Sequence, residues 1–287
     1  MKKQIKQIPP LSTLMIEPLV RATLLEDLGR AGDITSDAII PSDVQSELYL
    51  VAREAGVLAG LDLARLAFTL VDSEIHFEAL LKDGARLEKG SRIARISGSA
   101  RAILIAERTA LNFLCHLSGI ASVTANIADS IAEWGCKVTC TRKTTPMLRA
   151  VEKYAVRVGG GQNHRFGLDD AILIKDNHIA IAGSLSTAVE RAREGIGHLV
   201  KIEVEVDTLE QVDEALSIGV DVILLDNMSL EELAEAVRRI DGRAISEASG
   251  GVTPETAVAI AQQGVNLIAI GWLTHSAPIL DIGLDAV

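Results

Sequence analysis

Two hydrophobic periods divide the chain. From position 137 onward, short and nearly unbroken apolar runs recur at 137–142, 172–176, 201–206, 222–227, 244–247 and 267–271, and the last four begin 21, 22 and 23 residues apart. That interval is the length of one strand plus one helix. Stretches with a helical period lie between them, such as 209–218 and 230–240, the latter with Ser229 as a cap and Glu231 and Glu232 in its first turn. Strands that are apolar on both faces are covered on both faces, so the repeated units predict a parallel sheet, closed into a barrel or doubly wound.

The first third reads differently. Glu17-Pro18-Leu19 opens a helical pattern that runs through Leu19, Val20, Leu24, Leu25 and Leu28 to a closing Gly29, and 30–35 reads as a loop. Short strands follow at 47–52, 75–79 and 92–96, with a helical interlude at 61–71 and glycines at 56, 60, 84 and 90 as punctuation. This predicts a small α/β or β-rich domain. A helix over 102–116, with Ile103, Ile105, Ala106, Ala110, Leu111 and Leu114 on one face, leads into the repeated units.

Composition narrows the function classes. The 287 residues are 48% hydrophobic and 23% charged with a net charge of −11, the balance of a soluble globular protein rather than a disordered one. Aromatics are only 3%, and no basic tail is present, which argues against a nucleic-acid partner. Cys115, Cys136 and Cys140 form no CxxC pair, so free thiols in a reducing compartment are expected. Lys2, Lys3 and Lys6 precede no apolar core of leader length, and the expected location is the cytoplasm. The uncharged stretch 256–280 is long enough to span a bilayer. Its Gln262, Gln263, Asn266, His275 and Pro278, with Gly264 and Gly271, make it helix, turn, strand and loop instead, and no membrane partner is expected.

In barrels and doubly wound sheets alike, ligands lie at the carboxyl ends of the strands. Here those ends carry Arg142-Lys143, Lys175-Asp176, Glu205, Asp226-Asn227, Glu247-Ala-Ser249-Gly250-Gly251 and Gly271. Between 137 and 178, eight Lys and Arg stand against four acids, an island of positive charge suited to anionic ligands. Arg149, Lys153 and Arg157, four apart, read as one solvated helix face; Arg142, Lys143, Arg165 and Lys175 do not admit that explanation. Ser249-Gly250-Gly251 precedes a helix start at Thr253-Pro254, which makes a phosphate cradle over the last two strands. Glu205 and Asp226 could hold Mg²⁺, bind sugar hydroxyls or stabilise developing positive charge. A barrel-strand lysine such as Lys175 also admits a Schiff-base aldolase.

Longer motifs then point to a family. Thr141-Arg-Lys-Thr-Thr-Pro146, Gly159-Gly-Gly-Gln-Asn-His-Arg-Phe-Gly-Leu-Asp-Asp170 and Leu173-Ile-Lys-Asp-Asn-His178 resemble quinolinate phosphoribosyltransferase. The likeness extends through Glu26-Asp-Leu-Gly29, Gly32-Asp-Ile-Thr35, Glu107-Arg-Thr-Ala-Leu-Asn112, Glu203-Val-Glu205, Leu225-Asp-Asn-Met228, Glu247-Ala-Ser-Gly-Gly251 and Leu273-Thr-His-Ser276. Met147, Ala31 and Trp272 depart from the family pattern, and Met147 adjoins the Arg142-Lys143 loop. A paralogous phosphoribosyltransferase of the molybdenum-transport-associated type is expected to lack parts of the signatures that are intact here.

The resemblance implies an α/β fold: an N-terminal open-faced α/β sandwich over 1–115, rejoined by 275–287, and an incomplete, six-stranded βα barrel over 116–274. It implies condensation of quinolinate with 5-phosphoribosyl 1-pyrophosphate, with Mg²⁺, to nicotinate mononucleotide, pyrophosphate and CO₂. Carried over by motif, Arg142, His164, Arg165 and Lys175 surround quinolinate, and Arg108 arrives from the partner of a homodimer with shared sites. Lys143 meets pyrophosphate, Glu205 and Asp226 meet ribose and metal, and Ser249, Gly250, Gly251 and Gly271 hold the 5′-phosphate. Lys143, Lys175, Glu205 and Asp226 are the expected catalytic set.

Overall fold

The computed structural model describes residues 8–286; Lys2, Lys3 and Lys6, on which the reading of the N-terminus rests, lie outside them, as does Val287. In chain order the first elements are α1 (Thr13–Leu28), α2 (Ile34–Ile39), β1 (Gln45–Ala52), β2 (Gly56–Val57), α3 (Leu61–Val71), β3 (His76–Ala79), β4 (Arg86–Leu87), β5 (Arg92–Ser99) and α4 (Ala100–Ser130). Then come β6 (Lys137–Thr139), α5 (Arg149–Val158), β7 (Ile172–Ile174), α6 (Asp176–Ala182), α7 (Leu185–Gly195), β8 (Ile202–Val206), α8 (Leu209–Ile218) and β9 (Val222–Asp226). The last are α9 (Leu230–Ile240), β10 (Ile245–Ser249), α10 (Pro254–Ala261), β11 (Leu267–Ala269) and β12 (Ile282–Ala286). They form two compact units: the described residues up to Val123 with Ala150–Gly160 and those from Ser276 on, and Thr124–Arg149 with Gly161–His275.

The first unit is built on an antiparallel sheet in the order β12-β1-β5-β3. Leu50 stands opposite Ala94 on one side and Leu284 on the other. α1 and α3 pack against each other, and Val20, Leu24, Leu63, Ala64 and Phe68 are buried. Three local readings are corrected here. α1 starts at Thr13, a turn before Pro18, which therefore sits inside the helix rather than at its head. The 30–35 loop ends in a helix start, because the Asp33 carboxylate accepts the N–H groups of Thr35 and Ser36 and opens α2. α4 runs well past 116, to Ser130.

α5 overturns a further expectation. Its Lys153 is 1% exposed and Glu152 is fully buried, so no solvated face of Arg149, Lys153 and Arg157 exists. Four-residue spacing puts side chains on one face but says nothing of what covers it. Glu152 accepts a 2.9 Å hydrogen bond from His116, and Arg157 donates to the carbonyl of Pro9. Ala150–Gly160 thus belongs with the first unit, inside what the sequence assigns to the barrel.

The second unit is a six-stranded parallel sheet in the order β6-β11-β10-β9-β8-β7. Each strand neighbours its successor in the chain except β6 and β7, which are the two edges. The arrangement is an incomplete βα barrel, open where a β6–β7 pair would close it. Val138, Ile174, Val204, Ile223, Leu225, Ala248 and Ile268 are buried along these strands. Ser184, Thr208, Ser229 and Thr253 cap α7, α8, α9 and α10, each side-chain oxygen accepting the N–H three residues on. The stretch 256–280 contains the end of α10, β11 and a 3-10 turn. α4 alone among the described residues is long and apolar enough to cross a membrane, and 67% of its most apolar window is buried in the protein.

Candidate active site

Strand ends of the second unit converge on one cavity of about 690 Å³, within the range of small-molecule sites. Its lining includes Arg142, Lys143, His164, Arg165, Lys175, Glu205, Asp226, Ser249, Gly250, Gly251 and Gly271. Eleven of the twelve expected residues thus meet in one place. The twelfth, Arg108, is an exposed residue of α4 in the first unit.

Local structure explains the cationic side. Gln162 joins the edge of β6 through a single β-bridge, donating to Val138 O at 2.8 Å and accepting from Cys140 N at 3.3 Å, and His164 and Arg165 follow directly from it. Asp170 then folds the chain back by accepting the N–H groups of Phe166 and Gly167 at 2.6 and 3.0 Å. Arg165 donates to Ala171 O at 3.1 Å. Burial, and next the Arg142 guanidinium, hold Arg165 below the usual arginine range. The Nε of Arg142 is buried without a hydrogen-bond partner. Two guanidiniums that repel each other, one with an unused buried donor, make a site that an anionic ligand relieves.

The anionic and glycine side is equally placed by its strands. Asp226 and Ser249 end neighbouring strands and stand opposite each other in register. Glu205 Oε2 lies 2.6 Å from Lys175 Nζ, an ion pair that engages the lysine with a carboxylate rather than leaving it free for Schiff-base attack. Asn227 donates to Asp226 Oδ2 at 2.7 Å and fixes that carboxylate. Glu205 and Asp226 offer hard carboxylate oxygens from adjacent strands to one cavity, the donor set that suits Mg²⁺. At Gly250, φ is +103°, and an added Cβ would overlap Asn227 Oδ1 and stand 3.0 Å from that residue's backbone nitrogen. Gly271 gives way to Lys143, whose Cδ would lie 2.8 Å from a Cβ there. Trp272 donates to Val252 O at 2.9 Å and ties the glycine turn to the end of β11.

Thr141, Asn227 and His275 also line the cavity; the sequence reading places them in its motifs and strand ends but gives them no role. Asn227 had a signal, since a polar residue after a strand-end aspartate is placed to orient it. Met147 takes φ +67° and is 89% exposed, a left-handed backbone that glycine adopts without the cost a side chain brings.

Comparisons with known proteins agree in length and kind. The chain matches the families described as "Quinolinate phosphoribosyl transferase, C-terminal domain" over residues 120–285 and "Quinolinate phosphoribosyl transferase, N-terminal domain" over 33–118. It is 44% identical to the probable nicotinate-nucleotide pyrophosphorylase [carboxylating] of Bacillus subtilis (strain 168), covering 95% of this chain and 93% of that one. It is 46% identical to the nicotinate-nucleotide pyrophosphorylase [carboxylating] of Mycobacterium leprae, covering 93% and 95%. Among solved structures, NadC from Streptococcus pyogenes superposes with a TM-score of 0.93 at 45% identity, over 98% of this chain and 100% of that one.

Proposed function

The chain belongs to the quinolinate phosphoribosyltransferase family, and from that premise we propose how its residues divide the work. The enzyme transfers phosphoribosyl from 5-phosphoribosyl 1-pyrophosphate to quinolinate with decarboxylation, giving nicotinate mononucleotide for NAD biosynthesis. The observation that carries the division of roles is the shared cavity. Its cations lie toward β6 and β7, and its glycine turn and paired acids lie toward β8 to β11.

Arg142, His164, Arg165 and Lys175 take the two carboxylates of quinolinate, and the unused donor of Arg142 is consistent with a ligand there. Ser249, Gly250, Gly251 and Gly271 hold the 5′-phosphate by backbone N–H groups beside the start of α10. Lys143 meets the pyrophosphate. Departure of pyrophosphate leaves positive charge on the ribose ring, which Glu205 and Asp226 face and stabilise while the pyridine nitrogen attacks the opposite side. Loss of the 2-carboxylate then leaves a carbanion beside a ring nitrogen that has become cationic, so the substrate supplies its own electron sink. The protein's share is orientation, which contributes several kcal/mol to a bimolecular step. Glu205 and Asp226 are also the groups that would hold Mg²⁺, which when bound neutralises pyrophosphate charge.

The direct test mixes purified protein, quinolinate, phosphoribosyl pyrophosphate and Mg²⁺ and follows nicotinate mononucleotide. Product is expected with quinolinate and scarcely any with nicotinate, because a monoacid leaves part of the half-buried cation cluster unpaired. No product from quinolinate overturns the reading.

The working form is a cytoplasmic homodimer in which Arg108 serves the neighbouring subunit's site, a closed two-fold assembly of the commonest kind. Arg108→Ala and Lys175→Ala enzymes should each be nearly inactive. Mixed and re-paired at random, they are expected to recover about a quarter of parental activity, since half the dimers are mixed and each has one intact site of two. Lack of recovery despite demonstrated subunit exchange overturns the shared site.

A further inference from the structure

Behind the cavity lies a pair of acids that none of these roles uses. Glu203, near the start of β8, is 7% exposed, and Glu247, midway along β10, is 2% exposed. Glu203 Oε2 stands 2.7 Å from Nε2 of His164, and Glu247 Oε1 stands 3.9 Å from the same nitrogen. Oε1 of each glutamate is buried without a hydrogen-bond partner. His164 lines the cavity and the two carboxyls do not, so the imidazole stands between them and the ligand space.

The flanking strands supply no counter-charge. Glu247 is flanked in register by Leu224 and Leu267, and Glu203 by Leu173 and Val222. The charged groups that face Glu247 are Glu203 and His164, while Arg165 faces Glu203 and Arg142 faces Arg165. A buried carboxylate needs a partner of opposite charge. Glu203 finds it in His164, whose ring then has a reason to be the cation rather than the neutral base.

We propose that Glu203 and Glu247 are positioning residues for the acceptor substrate: Glu203 takes the Nε2–H of His164 and Glu247 closes the cluster behind it, so that the ring is held as a hydrogen-bonded cation against the substrate's carboxylates. This rests on the assignment of His164 to quinolinate. Burial, and next the Glu203 carboxylate, push the Glu247 carboxyl up to about 8, so at neutral pH it is an uncharged acid and the cluster holds one anion for one cation. Above that pH a second anion beside His164 offsets its charge and loosens its hold on a dianion.

The test is steady-state kinetics with quinolinate, phosphoribosyl pyrophosphate and Mg²⁺ from pH 6 to 9.5, with thermal melts alongside. Parental turnover decides the functional reading; ratios of variant to parent decide this proposal. Glu203→Gln is expected to raise KM for quinolinate about tenfold or more, with KM for phosphoribosyl pyrophosphate changed by less than about threefold and melting unchanged or higher. Glu247→Gln is expected to hold its kcat/KM for quinolinate between pH 7 and 9, where the parent's falls by about threefold or more. Equal changes in both KM values together with a lowered melting temperature would mean a structural role and overturn the proposal. So would a Glu247→Gln profile superimposable on the parent's, a result that remains readable if Glu203→Gln fails to fold.

Discussion

Arg165→Ala is expected to lower kcat/KM for quinolinate by about 2 to 5 kcal/mol, roughly thirtyfold to several thousandfold, the range for breaking a desolvated charge pair. The guanidinium is anchored to Ala171 O, with its loop held by Asp170, so it needs little ordering when the anion arrives. Truncation leaves one substrate carboxylate facing apolar and cationic surface without its fork of donors. Stability should move the other way or not at all, because removing Arg165 relieves its repulsion with Arg142. Lost catalysis with an unchanged or raised melting temperature is the signature expected. Arg165→Lys should recover only part of the loss, since a point charge does not reproduce bidentate geometry. An alanine variant within about twofold of the parent would remove Arg165 from the site.

Gly250→Ala is expected to act on the other substrate. The new Cβ would meet Asn227 at its Oδ1 and, at 3.0 Å, at its backbone nitrogen, while φ of +103° is itself strained for alanine. Asn227 has little room to retreat: its φ is +55°, its N–H donates to Ser249 O at 2.9 Å, and its amide holds Asp226. Relief therefore displaces the phosphate cradle and the Asp226 carboxylate together. We expect about a hundredfold loss in kcat/KM for phosphoribosyl pyrophosphate and about 1 to 3 kcal/mol of stability, the cost of backbone strain. Gly251→Ala is the comparison for stability. No protein atom lies within 4 Å of a methyl group added there and φ is +56°, so its stability cost should be only the left-handed penalty of about 1 kcal/mol. Equal losses of stability at the two positions would show that strain alone, not the clash with Asn227, governs the turn.

The barrel was legible because β8 to β11 recur with one helix between each pair, a long-range spacing signal that local noise does not erase. The site followed, since polar residues at the carboxyl ends of buried strands have few structural reasons to be there. What escaped depends on contacts made by distant parts of the chain. Lys153 looked like part of a wet helix face because helical spacing carries no information about enclosure. Glu203 was hidden inside an apolar run; its two-residue separation from Glu205, which in a strand puts both side chains on one face, was the available clue. Asp33 was missed as a cap for the opposite reason: the helix it opens is only six residues long, too short to show a period.

The pairing of β12 with β1 has a consequence for how the protein is made. Leu48 meets Ala286 and Ala52 meets Ile282, so one side of β1 waits for a partner encoded more than two hundred residues later. At about 5 to 20 residues per second a ribosome needs roughly 10 to 50 s to supply it. Throughout that interval the nascent chain presents an unpaired row of backbone donors and acceptors, the template on which two copies join edge to edge. Shortening the chain before Ile282 would make the interval permanent, and such a product should be recovered chiefly as aggregate even though every cavity-lining residue is still encoded.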